Sequence, residues 1–320
     1  MLFRSAGSSP ASGTRLLFGI IMIKHLSNSQ IEMLLHCSWK HKLKYLDGFK
    51  EPTTDHLVVG SAVHRAVETY RVRQLQGTLD AWLTEEARDK AVIAAADEEF
   101  DKLVREADES GMPVEWTKGI HPDHARMLMH RLIETYFYKI VESDIPDTPK
   151  VPLAQLDQPK SIEQEFFLPI PNIDGWAIKG RFDMRTNDAL IDLKTASMRF
   201  SQRDMDKKTQ PSFYLYAWSL MTGEIIPEFR YHVLIKPAST KWRPESGAPP
   251  PRDLETYRAA VQRTTRHWDE LQWFGEYLQM QVYQIDVGAY VRRQNADFCD
   301  FCGLAKHCKP WIKNHVMPDS

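Results

Sequence analysis

No stretch of this 320-residue chain is apolar for long enough to cross a bilayer: the longest run, residues 16–23, has eight residues, where a membrane helix needs roughly 20. Cysteine is scarce, four in all, which excludes a disulfide-framed fold. Neither sign of charge prevails. With 41 Lys and Arg against 43 Asp and Glu, the net charge is -2, which argues against a wholly basic nucleic-acid binder. The phosphate-loop pattern G-x-x-x-x-G-K-[ST] is missing, so the chain carries no evident helicase motor of its own. Internal repeats and low-complexity tracts are missing too. What is there is 42% hydrophobic, 26% charged and 11% aromatic, the composition of a globular protein with length for about two domains and a sizeable core.

The charge is unevenly spread. Residues 80–110 carry 11 acids and 4 bases, net -7, which leaves the rest of the chain at +5 and able to hold a polyanion. No acid precedes Glu32, and the start contains Arg4, Arg15, Lys24 and several serines. That leaves an organellar transit peptide open, but composition favours a disordered or over-long start with translation beginning at Met22. The expected location is the cytoplasm, with no membrane association.

Residues 27–46 read as a helix with Ser29 as N-cap and Ile31, Leu34 and Leu35 at helical spacing. Gly60-Ser61 opens a second helix capped by Ser61, with Val63, Val67 and Tyr70 as its apolar stripe. Helical patterns continue over 79–107 and 122–141, and six prolines between 144 and 171 mark a join. SIEQEFFLPI, WAIKGRFDMR and ALIDLKTA read as neighbouring strands. A helix starting near Pro211, a strand FRYHVLIK, a proline-rich loop over 237–251 and a helix over 253–280 follow. The predicted class is α/β (or α+β), a central mixed sheet flanked by helices. The predicted regions are a tail (1–25), a helical region (26–150), a core sheet (151–250) and a C-terminal helix with a cysteine cluster (251–320).

The most informative geometry is a hairpin. With Asn187 and Asp188 as its two loop residues, Asp183 falls directly opposite Asp192, about 5 Å apart at Cβ, where like charges destabilise an ordinary sheet. A cation between them reverses that sign, and two converging carboxylates suit a hard divalent ion such as Mg²⁺ or Mn²⁺. Lys194 lies on the face of Asp192, placed to orient or deprotonate a water. An isolated D-x-K triplet is better read as a solvated ion pair. The opposed Asp183 and the apolar LIDL context count against that here. Glu165 and Glu68 are further acids whose orientation nothing in the sequence fixes.

Gly60 to His64 (G-x-x-x-H), Asp183, Asp192-x-Lys194 and Gln210 to Tyr214 (Q-x-x-x-Y) stand in an order that resembles the RecB-like branch of the PD-(D/E)xK nuclease superfamily. The resemblance implies a restriction-endonuclease-like core. It implies that His64, Asp183 and Asp192, with the carbonyl of Leu193, ligate the metal, that Lys194 serves the water, and that Gln210 and Tyr214 line the DNA channel.

Cys299, Cys302 and Cys308 fall in one short segment, with Cys37 the remaining cysteine. Four thiolates suit zinc or an iron-sulfur cluster, and His36 and His307 are alternative zinc ligands. The one-plus-three spacing resembles the iron-sulfur nucleases, namely the AddB nuclease domain and the CRISPR-associated Cas-four exonucleases, which implies a 4Fe-4S cluster that staples the chain ends together. Basic residues near these motifs (Lys40, Lys42, Lys44, Arg199, Arg203, Lys207, Lys208, Arg292, Arg293) form a candidate phosphate track, with Trp39, Phe200 and Phe213 as candidate stacking rings. The expected activity is a metal-dependent DNA exonuclease acting on single-stranded ends in recombination, repair or CRISPR adaptation. The alternative is a non-catalytic iron-sulfur DNA-binding or assembly module that partners a helicase or recombination complex. Nothing in the sequence sets an oligomeric state.

Overall fold

A computed structural model describes residues 24–82, 84–226, 228–292, 299 and 302–308. The expectations for the tail, and for Arg293, lie outside the described residues over 1–23 and at 293. The elements run β1 (Lys24–Leu26), α1 (Asn28–His41), α2 (Asp55–Leu75), α3 (Glu85–Glu109), α4 (Pro122–Tyr138), β2 (Val141–Ser143) and α5 (Leu153–Leu156). Then come β3 (Ser161–Pro169), β4 (Trp176–Arg185), β5 (Ala189–Ala196), α6 (Gln202–Lys207), α7 (Thr209–Thr222), β6 (Glu228–Ile235), β7 (Arg258–Thr264) and α8 (Trp268–Asp286).

The strands form one mixed seven-stranded sheet in the order β1-β4-β5-β6-β7-β2, with β3 pairing β4 on its other edge. One core packs α2, α3 and α4 onto the sheet, around Val63, Phe100, Leu132 and Tyr136. The second packs α1, α7 and α8, around Ile31, Phe213, Tyr231 and Phe274. The result is the mixed α/β architecture expected, a sheet covered by helices on both faces.

Several local expectations are corrected. The α1 cap is Ser27, whose Oγ accepts from the Gln30 N–H. Ser29 lies inside the helix. α2 begins well before Gly60, at Asp55, with Thr54 as its cap. Gly60 and Ser61 are interior residues, because the sequence from Val58 onward already supplies a buried face. The expected helix over 253–280 is a strand, β7, followed by α8. β7 lies between β6 and β2 and is buried on both faces at Ala259, Ala260 and Val261, so it lacks the alternation that marks a half-exposed strand.

One close contact shapes the region of interest. Gly180 is in register with Phe166, and a methyl at Gly180 would lie 2.5 Å from that ring. The missing side chain lets Phe166 lie across β4 and meet Tyr214 edge-on at 6.2 Å. Gly180→Ala is expected to destabilise the fold by about 1–3 kcal/mol through overpacking, measured as a lowered denaturation midpoint.

Candidate active site

The hairpin turns as its sequence requires. The Thr186 N–H donates to the Ala189 carbonyl at 2.9 Å across Asn187 and Asp188, and Met184 pairs with Ile191 and Arg185 with Leu190. The ladder ends there, one step short of Asp183 and Asp192. Opposed carboxylates would repel within a continued ladder, and the strands part at that point. β4 stays paired to β3 along most of its length. The Asp183 carboxylate takes over as partner of the freed backbone, accepting the Leu193 N–H at 3.0 Å.

Helices from both faces of the sheet reach into this gap. From α2, His64 Nε2 lies 2.8 Å from the Leu193 carbonyl oxygen. A carbonyl only accepts, so Nε2 carries a proton and donates. His64 Nδ1 is 3.4 Å from Asp183 Oδ2. From α7, Gln210 Nε2 donates to Asp192 Oδ1 at 2.8 Å, and the Tyr231 hydroxyl lies 3.4 Å behind Gln210 Oε1. Asp192 is 3% exposed, and its Oδ2 lies 2.7 Å from Lys194 Nζ.

Burial, only partly offset by Lys194 and reinforced by the Asp183 charge, pushes the Asp192 carboxyl up to about 6. Burial works to strip Lys194 of its proton, but the charge and hydrogen bond of Asp192 prevail and raise its pKa. Lys194 is therefore an ammonium in this arrangement, a group that orients and donates. Of the two roles expected of it, orienting a water suits an ammonium and deprotonating one does not.

His64, Asp183, Asp192, Leu193, Lys194, Gln210 and Tyr214 all line one open cavity of about 850 Å³. Tyr214 presents its hydroxyl from an aromatic cluster with Phe166, Phe182 and Phe229. Gln210→Ala would leave Asp192 Oδ1 without its donor. It is expected to lower activity by about 10–100-fold and to raise the metal concentration needed for half-maximal rate, read from a metal titration of cleavage.

One cavity residue was not legible beforehand. Glu163, on β3, has φ of +49°, a left-handed conformation rare for a side-chain-bearing residue inside a strand and costly to hold. Its side chain enters the cavity beside Asp183. Burial first, then the Asp183 charge, push its carboxyl up to about 7. The alternative acid, Glu165, is exposed and outside the cavity, whereas Glu68 lines it and pairs with Arg65 at 3.1 Å.

A family model for the PD-(D/E)XK nuclease superfamily matches residues 25–309. The chain belongs to that superfamily. The superfamily assignment makes the chain a nuclease by family. A crystal structure of a provisionally assigned exonuclease from Eubacterium rectale is similar at 11% identity and a TM-score of 0.45, covering 98% of this chain and 96% of that one. No curated protein matches the sequence. Among the described residues no helix is long and apolar enough to cross a membrane.

The four cysteines lie within electrostatic reach of one another at Cys308. Cys37 interrupts α1 with extended φ and ψ of -164° and 100°. The segment after α8 returns to the next residue, where the Val291 N–H donates to Ser38 Oγ at 2.7 Å. Burial raises the Cys308 thiol, and the charges of Cys37, Cys299 and Cys302 raise it further, against Arg292. None of the four forms a disulfide, and each is partly exposed. Among the described residues no group of at least three His, Cys, Asp or Glu side chains is gathered closely enough to hold a single metal ion.

The expected phosphate track is corrected in part. Lys40 and Lys44 both pair with Glu51, at 2.5 and 2.8 Å, and Lys42 pairs with Asp47. Arg199 pairs with Asp144. Phe213 is fully buried and cannot stack on a base. Phe200 packs edge-on to Tyr231 beneath Lys208, and Trp39 lies beneath Arg292.

Proposed function

We propose that this nuclease is a Mg²⁺- or Mn²⁺-dependent deoxyribonuclease that hydrolyses DNA from single-stranded ends. The observation that carries the reading is the parting of β4 from β5 at Asp183 and Asp192, with His64 and the Leu193 carbonyl in the same gap. His64, Asp183 and the Leu193 peptide partner one another and Asp192 is held by Gln210 and Lys194, oxygen and nitrogen donors that suit a hard divalent ion. As they stand, no three His, Cys, Asp or Glu side chains among the described residues surround one point, so His64, Asp183 and Asp192 would have to turn from their present partners to hold the ion with the Leu193 carbonyl; when bound it lowers the pKa of a water and offsets charge on the phosphate.

The protein's own groups do the rest. Gln210 fixes the plane of the Asp192 carboxylate, and the Lys194 ammonium donates toward the phosphate or the attacking water. The open cavity admits a phosphodiester to both. If His64 Nε2 is to ligate, the ring must carry its proton on Nδ1, 3.4 Å from Asp183 Oδ2.

Cys37, Cys299, Cys302 and Cys308 are proposed to hold a 4Fe-4S cluster. The interruption of α1 at Cys37 and the mutual electrostatic influence of the thiols support it. The cluster's role is a staple between the two ends of the fold, in a recombination, repair or CRISPR-adaptation nuclease.

The test is anaerobic purification followed by an Mn²⁺ or Mg²⁺ assay on end-labelled single- and double-stranded DNA, beside Asp192→Ala and Lys194→Ala. Metal-dependent shortening of single strands, lost in both variants, is expected. Binding without cleavage under any metal would replace this reading with a non-catalytic DNA-binding module serving a helicase or recombination complex.

A further inference from the structure

We propose that the groove between α1 and α8, floored by the stacked rings of Trp273 and Tyr277, binds bases of the single strand whose phosphodiester lies in the catalytic cavity. The inference rests on the nuclease reading above. Trp273 and Tyr277 sit one turn apart on α8, with centroids 5.6 Å apart and planes at 17°. Trp273 is 63% exposed, so its ring is open to a stacking partner. Leu35, 51% exposed on α1, forms the facing wall of a groove of about 570 Å³.

Continuity with the catalytic cavity identifies the occupant. Gln210 and Tyr214 face that cavity, while their neighbours Thr209 and Ser212 face the groove. The first turn of α7 is thus a sill between the two. On α1, Glu32 lies within electrostatic reach of Lys194 and 3.5 Å from Thr209 Oγ1, and Leu35 is one turn further along. A strand crossing the sill would leave the catalytic residues and arrive over the Trp273 ring.

The charge lining the groove is balanced, with Lys207, Lys208 and Arg266 against Asp206, Asp269 and Glu270; Asp206 is held by Gln202 and Thr264, and Glu270 accepts the His267 N–H at the start of α8. Lys207 and Lys208, on the groove's rim, are then cations placed for backbone phosphates. Paired lysines beside a stacking platform suit single-stranded nucleic acid without sequence preference, since every base has a π-face.

The test is the affinity of 5′-fluorescein-labelled dT12, followed by anisotropy in EDTA so that nothing is cut. Trp273→Ala is expected to weaken binding about tenfold, the effect of one lost base stack, and Trp273→Phe to keep most of the affinity. Met280→Ala, on the same helix, 68% exposed and outside the groove, should bind as the wild type does. A change within twofold for Trp273→Ala, or an equal loss in Met280→Ala, overturns the proposal. Because binding is read without metal, a wild type that cuts no DNA would sink the nuclease reading while the groove is still judged by its own variants.

Discussion

Asp192→Asn is expected to cleave DNA about 10³-fold more slowly than the wild type, or worse, and yet to melt higher in metal-free buffer at pH 8. The loss follows from removing an anionic donor from the gap that would hold the ion. The gain follows from burial. The Asp192 carboxyl is 3% exposed and its pKa is pushed up to about 6, whereas in the unfolded chain it returns to about 3.9. Between those values the native state keeps a proton that the unfolded state releases. Stability therefore falls as pH rises through that window, and the full penalty persists above it.

Asparagine does not ionise, and its Oδ1 still accepts from Gln210. The variant loses the pairing with Lys194, but that ammonium is 35% exposed and keeps contact with water, so the lost pair offsets only part of the gain. A net of about 1–2 kcal/mol corresponds to a Tm roughly 2–5 °C higher. Glu163→Gln should act in the same direction above pH 7, because that carboxyl too is raised, to about 7. Added Mn²⁺ should raise the Tm of the wild type and leave Asp192→Asn unmoved, since only a state that binds the ion gains by mass action. An Asp192→Asn protein that melts several degrees lower in EDTA would mean that the Asp192–Lys194 pair stabilises more than burial penalises. Substantial residual cleavage would remove Asp192 from the site.

Cys37→Ser is expected to abolish a broad visible absorbance of the anaerobically purified wild type and to lower its iron from about four atoms per chain. It should also lower the Tm by roughly 10 °C or more. A link from Cys37 to the segment that ends at Cys308 closes a loop of 271 residues. On the chain-entropy estimate used for covalent cross-links that is worth about 5 kcal/mol. The two ends would then be held by noncovalent contacts, among them the hydrogen bonds of Ser38 and Trp39 with Val291 and the packing of Phe49 against His307. Zinc in place of iron, by elemental analysis, would keep the staple and change the cofactor. A wild type that carries neither metal, with Cys37→Ser melting unchanged, would dismiss the staple altogether.

How legible the protein was depended on how local each feature is. The hairpin could be read because a two-residue loop and period-two alternation fix the pairing of Met184 with Ile191 within a few residues. The order Gly60, His64, Asp183, Asp192, Lys194, Gln210 and Tyr214 was likewise open to reading. The cap of α1 and the start of α2 were misplaced because Ser29 and Ser61 are good caps in isolation. Packing of the residues before them decided otherwise. β7 was missed because a strand buried on both faces carries no alternating signal. Glu163 was missed for a different reason. Its side chain enters the cavity through a left-handed backbone that no residue preference predicts.

The sequence by itself determined the α/β class, the hairpin with its acids and lysine, and the clustering of cysteines, because these rest on short-range periodicity and spacing. Only the tertiary structure decided which acids share the cavity, that Lys194 keeps its proton, that three apparent phosphate-binding lysines are paired to Glu51 and Asp47, and that Trp273 is left exposed beside the sill of α7. Each of those depends on burial and on partners far along the chain, and burial sets both the electrostatics and the open surface on which a nuclease works.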